Sequence, residues 1–103
     1  MTKFQSRLAE KIILFLEFKH SIGIIYKTGE WTLCDFDRYN LEHGNYDYLE
    51  KETVEGWIHH KKERSKSQYM GYMSYIRELG KYMNSQDNIS YILSDKYKAV
   101  RYK

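Results

Sequence analysis

The residues able to do chemistry in this chain fall into none of the common catalytic spacings. The sequence holds no GxxxxGK[ST] phosphate loop, no GxGxxG turn, no HExxH helix and no CxxC pair. His59 and His60 are adjacent, so on a helix they point about 100° apart and do not converge on a metal. They read as two surface histidines, and neither metal nor cofactor is expected. Cys34, the single cysteine, excludes an internal disulfide and fits a reducing compartment. With no histidine near it in sequence, it reads as a small packing residue. Asp35 and Asp37 are two apart on one helix and face away from each other. Asp37 is expected to partner a neighbouring cation rather than act as an acid. No catalytic residue is assigned.

A different chemistry is written at Ser67, Gly71 and Ser74, spaced i, i+4, i+7. On a helix they make a face with almost no bulk. Lys66, Arg77 and Lys81 lie on one flank or nearby, and Gln68 and Tyr75 lie on the other. A small polar face rimmed by cations and amides lets a helix axis approach a rigid surface closely. The DNA major groove, about 12 Å wide, is such a surface. Phosphates would meet the lysines and the helix N-terminus. Base edges would meet Gln68 and Ser67, with Tyr69 or Tyr75 as further candidates. The same spacing also fits an ordinary solvated face, or small residues packed on another helix. Tyr26, Tyr46 and Tyr48, in turn regions, offer stacking for single-stranded bases. Most of the eleven tyrosines, however, fall on core or shoulder positions of helices.

Charge points the same way as the small face. Residues 1–52 hold 7 basic and 9 acidic side chains, whereas residues 53–103 hold 10 and 5, giving −2 and +5 within a total of +3. An excess on one half suits a polyanion, nucleic acid above all. The 103 residues, 42% hydrophobic and 30% charged, suit one small globular domain and not a disordered chain. The longest apolar run, Ile12–Leu16, is far short of the roughly 20 residues of a membrane span. The N-terminal stretch MTKFQSRLAEK has no apolar signal core. A cytoplasmic protein with no membrane contact is therefore expected.

Four helical segments must position these residues. Phe4, Leu8, Ile12, Phe15 and Leu16 recur at helical spacing and predict a first helix over about Phe4–His20, stopped at Gly23. A second is predicted over about Thr28–His43, with Thr28 as its N-cap, Leu33, Phe36, Tyr39 and Asn40 inward and Gly44 past its end. A third covers Lys51 to about Lys62, with Val54, Trp57 and Ile58 inward and Glu50 a weak cap that favours the helix dipole. The basic connection 61–67 follows, where Ser65 or Ser67 can cap the fourth helix. That helix is the most periodic, with Tyr69, Tyr72, Met73, Ile76, Leu79, Gly80 and Met83 on one stripe, and Asn84–Asn88 closes it. Ile89, Tyr91 and Ile92 are expected to return to the core, and the basic stretch 95–103 to fray. Strand patterning is nearly absent, so the fold class is all-α, a small four-helix bundle over residues 1–94 with a basic tail over 95–103.

The order of these segments resembles the N-terminal core-binding domain of tyrosine recombinases, the phage integrase family. SIGIIYKTGEWTLCDFDRYNLEHG is similar to that family's "LG…Y…T…L..FDRF…HG". Gly23, Tyr26, Thr28, Leu33, Phe36, Asp37, Arg38, His43 and Gly44 stand at matching places. Further on, Trp57, Ser74, Ile76, Arg77 and Tyr82 match, and ISYIL resembles the segment that leads toward the family's catalytic domain. The similarity spans roughly residues 8–95. Gln68 stands where the family usually has threonine, Gly71 and Tyr72 stand near a usual arginine or asparagine, and Ser94 replaces a frequent proline.

The resemblance implies a SAM-like bundle whose second and fourth helices face double-stranded DNA. Carried onto this chain, it adds Lys27 and Thr28 at the start of the second helix. They join Lys66, Ser67, Gln68, Gly71, Ser74, Arg77 and Lys81 on the fourth. It implies a non-catalytic module that clamps a recombination core site for DNA integration and recombination. The nucleophilic tyrosine would lie in a separate catalytic domain outside this chain. The implied partners are DNA, that catalytic domain and the sister subunits of a recombinase tetramer, with no small-molecule substrate, in a bacterial or phage-infected cell. The alternative from another class is a helical protein–protein interaction module, anchored by Trp31, Tyr46 or Tyr48.

Overall fold

Local sequence sets some of the helix ends, and distant polar partners and packing set the others. The computed structural model describes residues 4–24, 26–61, 66–86 and 90–93, and the backbone alone of residues 66 and 67. It contains α1 (Ala9–Ser21), α2 (Lys27–Glu42), α3 (Lys51–His60) and α4 (Lys66–Ser85). Among the described residues there is no strand, so the chain is all-α with four helices, as the patterning predicts. The chain divides into two compact units, Met1–Tyr48 and Leu49–Lys103. The first pairs α1 with α2, and the second pairs α3 with α4.

In the first unit Phe4, Leu8, Ile12, Phe15 and Leu16 are buried, as their spacing requires. The helix nevertheless begins at Ala9 and not at Phe4. The buried Asp37 carboxylate is the cause. Its Oδ2 accepts the Gln5 amide at 2.6 Å, and the Ser6 amide approaches both oxygens at 3.2 Å. The Ser6 hydroxyl donates to its Oδ1 at 2.6 Å. Amides taken by a charged acceptor have no use for a preceding helical turn. Asp37 thus partners amides and a hydroxyl, not the cation expected of it. Asn40 extends the network, its Nδ2 donating to Ser6 Oγ and to the Tyr46 carbonyl.

Both helices of this unit end as their glycines predict. Gly23 sits at φ +83°, with the Ile24 amide donating to the Lys19 carbonyl and the Gly23 amide to that of His20. Gly44 at φ +121° ends α2, and the Asn45 amide returns to the Asn40 carbonyl. This paired closure satisfies carbonyls that the last turn leaves open. The start of α2 differs from expectation. Thr28 lies exposed inside the first turn, and Tyr26 occupies the cap position without a side-chain bond. The Tyr26 ring lies where a Cβ on Gly29 would stand, and the Glu30 amide bonds the Tyr26 carbonyl at 2.8 Å. The ring closing over Gly29 moves the cap two residues earlier than Thr28.

In the second unit Glu50 caps α3 in full. Its Oε1 accepts the Thr53 amide and hydroxyl, both at 2.9 Å. α3 ends at His60, short of Lys62, where the Lys61 amide folds back on the Ile58 carbonyl. Val54, Trp57 and Ile58 are buried, and the Trp57 and Tyr72 rings lie 5.7 Å apart. On α4 the expected stripe is buried throughout, with only Tyr72 half-exposed. The return to the core is made by Leu93, which is buried, while Ile92 is exposed and Tyr91 half-buried. The expectations for Ser65, the Ser67 side chain, Asp87, Asn88, Ile89 and the tail 95–103 fall outside the described residues.

Candidate nucleic-acid interface

At 100° per residue, the line opposite the buried stripe of α4 runs through residues 67, 71, 74, 78, 81 and 85. The outward face therefore exists as a geometric feature. Ser74 and Lys81 are exposed, and so is Gln68 on the flank. Around Gly71 the space is open, since a Cβ there would meet nothing nearer than the Tyr75 ring at 3.9 Å. The 20-residue helix has no acidic side chain in its first turn, so nothing in that turn offsets its positive dipole end. The α2 start carries Lys27 and Thr28, both exposed, but also Glu30 in the same turn. Lys27 and Thr28 belong to the first unit and the α4 residues to the second. The helix positions of Lys66 and Ser67 put both in the first turn of α4.

Two features of this face were missed in the sequence reading. Glu78 lies on its centre line, four residues from Ser74 and three from Lys81, and is half-buried. A carboxylate there repels phosphate and can accept a hydrogen bond from a cytosine amino group. The i+11 position is legible in the spacing, but the small-residue pattern of 67, 71 and 74 stops short of it. Arg77 is the second. Its Nε donates to the Leu93 carbonyl at 2.9 Å, which turns its guanidinium toward this chain's own backbone. Arg77 therefore stands apart from Ser74 and Lys81 in what it does.

The alternative sites sort as follows. Tyr26 is buried, edge-on to Phe15 at 5.7 Å with the Lys19 ammonium 5.2 Å from its ring centre, so it offers no stacking surface. Tyr46 and Tyr48 pack edge to face at 5.4 Å, and Tyr48 is exposed. Cys34 is buried and forms no disulfide. His59 and His60 are exposed on α3, and no cluster of three or more metal-ligating side chains occurs among the described residues. No described helix is long and apolar enough to cross a membrane.

Glu50 and Tyr39, whose pKa values are shifted, both lie off this face. At Glu50, burial works to raise the carboxyl pKa. The amide and hydroxyl of Thr53, the Glu52 amide and the Lys51 charge outweigh it, and the net shift is downward. Desolvation raises the Tyr39 phenol, whose ring stacks on His43 at 3.8 Å. No family model, curated protein or solved structure matches the chain.

Proposed function

We propose that this chain is a double-stranded DNA-binding module of the tyrosine recombinase core-binding type, SAM-like in fold. It would hold and orient a recombination core site in the cytoplasm while a separate catalytic domain cuts and rejoins the DNA. The observation that carries this reading is the outward face of α4. Gly71 is open, Ser74 and Lys81 are exposed, and the first turn has no acid against the helix dipole. The segment order over residues 8–95 supports it independently. In this reading Lys81, Lys66 and the α4 N-terminus meet phosphates. Ser74, Gln68 and Ser67 meet base edges, Gly71 allows close approach, and Lys27 and Thr28 add a backbone contact.

The test is a titration of the isotope-labelled chain with a random DNA duplex at two salt concentrations. With about three to four phosphates neutralised, affinity should fall by about 40- to 150-fold between 50 and 200 mM salt. Amide shifts should centre on α4 around Gly71, Ser74 and Lys81. Reversing both charges, Lys66→Glu with Lys81→Glu, should abolish binding. Affinity that ignores salt, or shifts confined to α1, would remove the reading.

The exposed apolar side chains of the first unit favour a second reading, a helical protein-interaction module. Leu14 and Phe18, four apart on α1, are 50% and 45% exposed, and Trp31 on α2 is 68% exposed. Aromatic anchors dominate such contacts. The same charge reversal on α4 leaves this binding intact, which separates the two.

A further inference from the structure

Arg77, Gly80 and Asn84 form a row along one flank of α4, at i, i+3 and i+7, and the extended residues 90–93 lie along that row in the opposite direction. Asn84 holds the first of them. Its Nδ2 donates to the Ser90 carbonyl at 2.9 Å and to the Gly80 carbonyl at 2.8 Å, while the Ser90 amide donates to its Oδ1 at 3.4 Å. Gly80 makes room for the middle. A Cβ there would stand 2.9 Å from the Tyr91 carbonyl oxygen and 3.4 Å from the Ile92 Cα. Arg77 holds the far end through the Leu93 carbonyl. On the other side the segment is tied to the start of α3. The Tyr91 amide donates to the Leu49 carbonyl, and the Leu49 amide donates to Ser90 Oγ, each at 2.9 Å. The Tyr91 hydroxyl donates to Glu55 Oε2 at 2.6 Å.

We propose that residues 90–93 are a strap, latched by Arg77, that opens as a unit while α3 and α4 stay folded. This goes beyond the DNA-binding reading and does not depend on it. The strap is short and is held mainly by polar bonds between side chains and backbone. The helices it spans are held by the buried Trp57, Ile76, Leu79 and Met83. Segments with little apolar anchorage open before the cores they cover. Leu93 is the fully buried apolar side chain of the strap, and Arg77 grips that same residue. Closed, the strap holds the Leu93 carbonyl against the middle of α4. Arg77 is then a positioning residue, acting through Leu93 and not on a ligand.

Native-state hydrogen exchange on the full chain tests this, read at the Tyr91 amide and at the amides of Ile76, Leu79 and Trp57. In Arg77→Gln the Tyr91 amide should exchange about 10- to 100-fold faster, the range set by losing a hydrogen bond from a charged donor. The three helix amides should hold their rates. Asn84→Ala, which loosens the opposite end without touching Arg77, should repeat the pattern. An unchanged Tyr91 rate in both variants overturns the latch. A parallel rise of helix and Tyr91 amides overturns independent opening. A loss of about one unit in the salt slope of DNA binding on Arg77→Gln, with Tyr91 exchange unchanged, would return Arg77 to the phosphate contacts.

Discussion

The two units of this chain reach order by opposite means. In the first, buried polar side chains join segments far apart in sequence. Asp37 holds Gln5 and Ser6 across 32 and 31 residues, and Asn40 joins Ser6 to Tyr46. In the second, an apolar stripe at regular spacing buries α4 against its surroundings, and polar bonds cap α3 and hold residues 90–93. A buried carboxylate is an all-or-nothing device, because removing it strands every donor that faced it. An apolar stripe is graded, because each side chain adds its own share of buried area. The first unit should therefore break sharply at one residue, and the second should weaken by increments.

Asp37→Ala is the sharpest way to break that contrast. It leaves two amides and a hydroxyl without their acceptor in a buried setting, and should cost about 3 kcal/mol or more in denaturant unfolding. Asp37→Asn keeps shape and one acceptor oxygen and should lose distinctly less. If both variants unfold at the wild-type denaturant concentration, the network is ornamental and the contrast between units fails.

The same substitution made at two glycines of α4 sharpens the contrast within the second unit. Gly80→Ala drives a methyl group against the Tyr91 carbonyl and should destabilise by about 1–3 kcal/mol, partly relieved if the strap shifts. Gly71→Ala places its methyl in open space and should stabilise by about 0.5–1 kcal/mol through helix propensity alone. If Gly71 serves close approach to DNA, the stabilised variant should also bind DNA more weakly. Thermal unfolding and a binding titration on the same two proteins check all three outcomes.

These contrasts also mark what the sequence made legible. The α4 stripe, the two glycine helix ends and the Glu50 cap are local, so spacing and residue type were enough to find them. The start of α1 was not legible, because the acceptor that ends its N-terminal winding lies 31 residues away, and periodicity carries no information about distant polar partners. Thr28 failed as a cap for a related reason. Its type was right, but the ring of Tyr26 over Gly29 moved the start of α2, which is a matter of space and not of propensity. On the candidate face, Ser74, Lys81 and Gly71 were found by spacing. Spacing puts Arg77 on the flank of that face as well, and its carbonyl partner on Leu93 depends on a return of the chain that spacing assigned to Ile89, Tyr91 and Ile92.

Glu50 tests whether a local device in the second unit can titrate by itself. Its carboxyl pKa is lowered in the folded chain, so the bound proton favours the unfolded state. The stabilisation is present above the unfolded carboxylate pKa, about 4.3, and is lost as pH falls through the lower folded value. Glu50→Gln should cost about 1 kcal/mol at neutral pH, the usual worth of a cap. The wild-type advantage should shrink on acidification below about pH 4. An advantage that stays constant down to pH 2 would mean that the cap works without its charge.

The smallest effect concerns the one acid on the outward face of α4. Glu78 sits between Ser74 and Lys81, where DNA phosphates are proposed to pass. Removing its charge should relieve repulsion without adding a contact, because glutamine keeps the length and gains only an amide. Near a protein surface one like charge several ångströms from a phosphate is worth about 1 kcal/mol, less at physiological salt. Glu78→Gln should accordingly tighten binding to random duplex about two- to fivefold at 50 mM salt, by the same arithmetic, with little change at 200 mM. If Glu78 instead accepts from a cytosine amino group, the substitution should leave random duplex unchanged and weaken one sequence class. The sign of this small change therefore separates a face that merely holds DNA from one that also reads it. A tighter complex on every sequence assigns α4 to positioning, and a loss confined to particular duplexes assigns it to base recognition.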